Sequence, residues 1–263
     1  MFLISRLTSA LLYCLLLTGL LFASTTHASK ASGINIVTEH LEPYQILMPS
    51  GELSGFAIDV VRELQAMIGN QDRIQVMPWA RAYNTALRQP NTLIFSIART
   101  SFREDKFHWV GSLIVEKLYL WSLDPALVNT INSIESFSPR SIATERNSNV
   151  EQYLTRLNYP SIKRVVMETQ NMKMLFRHRV DAIAGSELSL KHRAKSLGLP
   201  FEDMHKLFVI KPLESNLSLA FSKQTPAETV AKFRNAFEKL KQSPRFKEIQ
   251  RKWQISDTTD LAN

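Results

Sequence analysis

The sequence predicts an α/β protein of two lobes joined by two hinge strands, with a ligand cleft between the lobes. Three observations carry this. Short apolar runs alternate with amphipathic stretches of about ten residues, the pattern of βα units and a mostly parallel sheet. Strand-like runs at 115–123 (VEKLYLWSL) and 213–222 link two regions of this same style, so the second lobe is inserted into the first. No long apolar segment follows residue 28, so the chain beyond it is expected to be soluble and to hold together by core burial. A cleft between lobes is a common ligand site, and hinge closure is a motion of this layout.

Residues 1–28 read as an export signal. Arg6 supplies the positive charge, Leu11 to Ala23 the apolar stretch, and Thr26 and Ala28 the small residues before cleavage. The apolar stretch is shorter than the roughly 20 residues that cross a bilayer. Cys14, the single cysteine, lies inside it, so the exported chain has no disulfide and no thiol chemistry. The expected location is the periplasm.

The first lobe takes residues 29–115 and 222–263. Its elements begin with a strand at Ile34 to Val37. A helix follows, with Val61, Leu64 and Ile68 on one face and Gly69 as its stop. Arg73 to Met77 is a strand, Trp79 to Arg88 a helix bounded by Pro78 and Pro90, and Leu93 to Ala98 a strand. The second lobe, 116–221 with the hinge strands, repeats the style. It has strands at Ser141 to Thr144, Lys163 to Met167 and Ala182 to Ala184, and helices at Val150 to Leu157 and Met172 to His178. Asn216 to Ser222 crosses back. Thr225 caps a helix with Pro226 at its first position and Glu228 three beyond the cap, and Val230, Phe233, Phe237 and Leu240 form its apolar face. Ser243-Pro244 opens a last helix ending near Trp253.

The formal charge is +8, but the Lys and Arg residues are scattered. They are densest at 232–252, where interleaved Glu residues mark a solvated helical face rather than a nucleic-acid surface. The six histidines lack metal spacing, and the eight glycines form no phosphate loop or dinucleotide fingerprint. No cofactor and no metal are expected.

The strand at Leu93-Ile94-Phe95 gives way to Ser96, Ala98, Arg99, Thr100 and Arg103. A strand tip carrying hydroxyls and a planar guanidinium offers donors to an anion. Arg103 also reads as a structural arginine paired with Glu104 or Asp105, and Arg99 as facing either the anion or solvent. Asn147 to Glu151 reads as a capping box of Ser148 with Glu151, and the helix start it makes is a natural anion site.

In their order and spacing, Glu42-Pro43-Tyr44, Gly51 to Asp59, Ser96 to Glu104 and Arg179 to Ile183 resemble the extracytoplasmic solute-binding proteins of the polar amino-acid type, family 3, the receptors of bacterial ABC importers. The resemblance covers essentially all of the chain after residue 28. It implies the two-lobed periplasmic-binding-protein fold, a monomer, a small amino-acid-like or carboxylate-bearing ligand, and delivery to the membrane permease of an ABC importer. It also implies that Arg103 grips a ligand carboxylate and that groups at Ser96 and Ala98 hydrogen-bond the ligand. The expected ligand contacts are Tyr44, Trp79, Ser96, Ala98, Thr100, Arg103, Ser148 and Glu187. Trp79 reads equally as core packing, and Ser148 as a plain helix cap. Two departures stand out. The acid that holds an α-ammonium in the family falls on Ser186, with Glu187 next to it, and Ala98 lacks the usual hydroxyl. Both lead away from an ordinary α-amino acid. The fold also occurs in sensor domains, ligand-gated receptor cores and a few periplasmic dehydratases. The alternatives are therefore a dehydratase acting on a cyclohexadienyl acid, with Glu187 as general acid, or a partner that presents its ligand to a membrane sensor.

Overall fold

Each lobe is built on its own five-stranded sheet. The structure, a computed structural model, describes residues 33–255, and the export-signal reading of residues 1–28 lies outside the described residues. The first sheet runs β4 (Ile74–Val76), β1 (Asn35–Thr38), β5 (Thr92–Ala98), β12 (Ser215–Ser222), β6 (Phe107–Glu116). The second runs β11 (His205–Val209), β7 (Tyr119–Ser122), β10 (Ala182–Gly185), β8 (Ile142–Glu145), β9 (Ile162–Val165). A small hairpin, β2 (Ile46–Leu47) with β3 (Leu53–Ser54), stands apart.

The sheets are not mostly parallel. In the first, β1 pairs parallel with β4 and β5, while β12 pairs antiparallel with β5 and β6. The second is divided in the same way, parallel at β8 and antiparallel at β7. The antiparallel half comes from chain that passes between lobes rather than through a βα crossover. The run 115–123 is consequently not one strand. β6 ends at Glu116 and β7 starts at Tyr119, so the chain changes sheets at Lys117-Leu118. β12 lies wholly in the first sheet, and the aromatic segment from Phe107 is strand.

All seven residues of β5 are buried because helices cover both faces. Phe95 packs with Phe56 and Leu64 of α1 (Phe56–Ile68), Phe233 and Phe237 of α7 (Ala227–Lys241), and Phe246 of α8 (Pro244–Lys252). Ile94 and Ile97 pack on the other face with Trp79, Ala82 and Tyr83 of α2 (Trp79–Arg88). Phe95 and Ile97 would share a face in a regular strand. A bulge separates them. Ser96 has φ 56°, and the pairing with β12 slips there, with Leu219 opposite Phe95 and Ser218 opposite Ile97.

The second sheet is likewise covered, by α3 (Ile134–Phe137) and α4 (Asn149–Arg156) on one face and by α5 (Glu168–Phe176) and α6 (Glu187–Leu197) on the other. α1 stops at Gly69 in the left-handed region, and α2 has the predicted bounds. One capping reading is corrected and one helix was missed. Pro226, not Thr225, is the cap residue of α7, and the Thr225 hydroxyl bonds that of Ser222 at 2.9 Å. α6 gave no sequence signal, since its sequence ELSLKHRAKSL has a weak apolar face. At Gly55, φ is 122° and a Cβ would stand 2.3 Å from the Tyr44 carbonyl oxygen, so only glycine lets α1 begin against the turn that carries Tyr44. Among the described residues no helix is long and apolar enough to cross a membrane.

Candidate functional site

The carboxyl ends of β1, β5, β8 and β10 converge on a cavity of about 70 Å³ between the two sheets. Crevices outside the carboxyl ends of strands are the usual ligand sites of α/β sheets. Of the expected contacts, Trp79, Ser96, Ala98, Arg103 and Ser148 line this cavity.

Arg103 is almost wholly buried, at 1% exposure. Its Nη1 donates to the Ala98 carbonyl at 3.2 Å, and its Nη2 donates to the Asn147 carbonyl at 3.0 Å. The guanidinium carbon lies 5.2 Å from the Trp79 ring centre and 4.9 Å from that of Tyr83. Burial pulls its pKa down to about 10, which leaves it charged at neutral pH. It pairs with neither Glu104 nor Asp105. Glu104 instead receives Arg99, whose Nε donates at 2.9 Å, and Arg99 lies on the surface against Trp109.

Trp79 contributes more than packing. Its Nε1 donates to the Asn147 carbonyl at 2.9 Å, and Gln152 Nε2 reaches the same oxygen at 3.2 Å. Asn147 itself has φ 62°. Next to it, Ser148 caps α4, accepting from the Glu151 amide at 3.1 Å while its hydroxyl meets that of Thr144 at 2.9 Å. The reciprocal half of the capping box is missing, because the Glu151 carboxylate takes Arg164 at 2.8 Å.

Three expected contacts stand away from the cavity wall. Tyr44 is buried behind it, with its hydroxyl donating to Glu116 Oε1 at 3.2 Å. Thr100 lies beyond the tip of β5, outside the lining. Glu187 is the first residue of α6 and turns to the surface, where Lys191 and Lys206 donate to it at 2.7 and 2.6 Å. Those two ammonium groups hold its carboxyl below the usual range, and it stands outside the cavity lining, where the dehydratase alternative needed a general acid. Ser186, where the sequence lacked an acid, binds one: its hydroxyl donates to Glu116 Oε1 at 2.6 Å.

The residues that sequence reading missed are mostly acids. Glu39, Glu116, Glu145 and Glu168 line the cavity, with Asn171 and Arg193. Burial, then the charge of Glu145, pushes the Glu39 carboxyl well up. Burial, then the nearby Glu168, raises Glu145 to about 8, and the Glu39 and Glu145 carboxyls hydrogen-bond each other. Burial raises Glu116 to about 7 against the pull of its hydroxyl donors. Arg193 is bound to Glu168. The signal for these acids was present: Glu39 follows strand β1, and Glu116 and Glu145 are the last residues of β6 and β8. Among the described residues no group of His, Cys, Asp and Glu is placed to hold a metal ion.

The sequence profile of the bacterial extracellular solute-binding proteins, family 3, matches residues 34–256. No curated protein matches the chain. An ABC uptake transporter substrate-binding protein from Streptococcus pneumoniae with bound histidine superposes with a TM-score of 0.73, at 17% identity, covering 86% of this chain and 93% of that one. An ancestral arginine-binding protein bound to glutamine gives 0.72, at 16% identity, over 85% and 99% of the two chains. A histidine kinase sensor domain with similarity to periplasmic binding proteins gives 0.72, at 12% identity, over 84% and 95%. At these identities the likeness is one of fold.

Proposed function

The chain belongs to the bacterial extracellular solute-binding proteins, family 3, and from that premise we propose that it captures a small polar, amino-acid-like solute in the periplasm and delivers it to the membrane permease of an ABC importer. The cavity between the sheets is the binding site, with Trp79, Ser96, Ala98, Arg103 and Ser148 among its contacts. One observation carries the reading. Three buried polar atoms of the lining, Ser96 Oγ and Arg103 Nε from the first lobe and Asn171 Oδ1 from the second, have no hydrogen-bond partner. Each such group costs about 1–3 kcal/mol unless something pairs with it, and a polar solute held between the lobes would pair with groups of both.

A thermal-shift screen against amino acids, polyamines and small carboxylates tests the reading. A solute at 100 times its dissociation constant is expected to add about 2.7 kcal/mol of stability. No shift with any of the three classes would sink it. Deleting the gene is expected to abolish cellular uptake of the solute found, whereas a chain serving a membrane sensor would leave uptake intact. Prephenate and arogenate are expected to remain unconverted by the protein.

A further inference from the structure

Building on the solute-binding reading, we propose that the solute carries net positive charge, a compact ammonium or guanidinium compound whose cationic group sits among Glu39, Glu116 and Glu145. Four carboxyl groups line the cavity against two guanidinium groups, an excess of two potential negative charges. Arg193 is taken up by Glu168. Arg103 is turned to the carbonyls of Ala98 and Asn147 and lies against two aromatic rings. The three remaining acids therefore have no salt bridge among the described residues. Glu116 has only the neutral hydroxyls of Tyr44 and Ser186, and Glu39 bonds to Glu145.

Carboxylates buried in one cavity resist desolvation, and close neighbours among them repel one another. Either protons or a cation must neutralise them. Burial raises all three carboxyls, helped by the charge of Glu168 at each and of Glu145 at Glu39, so protons serve in the free protein. A bound cation ionises the Glu39–Glu145 pair, and the displaced proton passes to solvent. Asn171 Oδ1 and Ser96 Oγ, buried at 4% exposure each and without partners, are acceptors suited to a head group rich in N–H donors. No metal-holding cluster exists among the described residues, so the cation is organic. The cavity of about 70 Å³ favours a compact one, since a single water needs about 10–15 Å³ on the same scale.

Calorimetric titration of the exported protein with agmatine, putrescine, L-arginine, L-glutamine and glutarate, at pH 6 and pH 8 and in two buffers of different ionisation enthalpy, tests this. The expected result is that a net-positive compound binds tightest, about 10-fold or more tightly at pH 8 than at pH 6, with a proton released on binding near neutral pH. Glu145→Gln is expected to weaken that compound about 10-fold or more and to remove the proton release. Glu63→Gln, whose carboxylate pairs with Arg245 on the surface, should change neither. Melting curves establish that each variant is folded, and Glu39→Gln supplies the same measurement if Glu145→Gln unfolds. If L-glutamine or glutarate binds and the cations do not, the charge assignment is overturned while solute binding stands. If none of the five binds, a neutral or anionic solute found by the wider screen overturns the inference alone, and a cationic one upholds it. If neither finds one, both readings fall.

Discussion

Arg103 and Asn147 meet across the cleft: the guanidinium of the first lobe donates to the backbone carbonyl of the second at 3.0 Å. Trp79 donates to the same oxygen. Arg103 thus does two things at once. It lines the cavity, and it ties the tip of β5, through Ala98, to the start of α4. The sequence suggested a ligand grip or a partner of Glu104 or Asp105. The burial of Arg103 and its bond to Asn147 make it part of the contact between the lobes.

Arg103→Ala is therefore expected to destabilise the protein as well as to impair binding. It strips a charged donor from two carbonyls and opens a space beside Trp79 and Tyr83, at a cost of roughly 2–4 kcal/mol. Arg103→Lys should recover less than half of this, because an ammonium does not reproduce the planar fork or the ring contacts. Urea unfolding of the three proteins measures it, and an unchanged midpoint for Arg103→Ala would contradict the latch.

Trp79→Phe keeps a ring and removes one N–H. Losing its bond to Asn147 should cost about 1 kcal/mol and loosen closure without unfolding either lobe. Hydrogen exchange at 147–149 is expected to quicken while exchange in β5 and β8 stays slow. Equal quickening in all three segments would mean that the effect is global.

The raised carboxyls make stability depend on pH. Glu116 and Glu145 titrate in the folded protein near 7 and 8, against 4.5 for an unperturbed group. Between those values the folded state holds protons that the unfolded chain has lost, so stability falls as pH rises from about 4.5 to about 8 and then levels off. Glu145→Gln mimics the protonated form, so it should raise the melting temperature at pH 8 and flatten the slope. Scanning calorimetry across pH 4.5–8.5 without solute checks this, and a stability that rises through that window would refute it.

Gly55→Ala is expected to cost about 2 kcal/mol or more. The added Cβ meets the Tyr44 carbonyl, and φ 122° is strained for any side chain. Because Tyr44 holds Glu116, the variant should also shift the pH dependence just described. Gly51→Ala is a suitable control: it has positive φ but nothing within 4 Å, so it shares the backbone strain and lacks the clash.

Much of the fold was legible because periodicity and punctuation agreed. Pro78 and Pro90 bracket α2, Gly69 ends α1, and the buried run of β5 stands out. The direction of the hinge strands was not legible, since pairing depends on partners far along the chain. α6 was missed because it is polar on most sides. Without that helix, Glu187 read as a ligand contact next to Ser186 rather than as a first-turn residue facing two lysines. Part of the site was legible: Ser96, Ala98 and Arg103 at or after the tip of β5, Trp79 at the start of α2 and Ser148 at the cap of α4. The acids were not, because Glu39, Glu116 and Glu145 come from three strands that only the folded sheets bring together.

The extra residue in β5 changes the parity of the strand. From Thr92 to Phe95, odd and even positions face the two helical layers in the ordinary order, and after Ser96 they exchange sides. Ala98, the anchor for Arg103, owes its orientation to that exchange. Removing Ser96 would leave a strand with the same apolar composition and restore regular alternation, but Ile97 and Ala98 would change faces. The tip of this strand can therefore be lengthened or shortened only in steps of two, whatever the residues are.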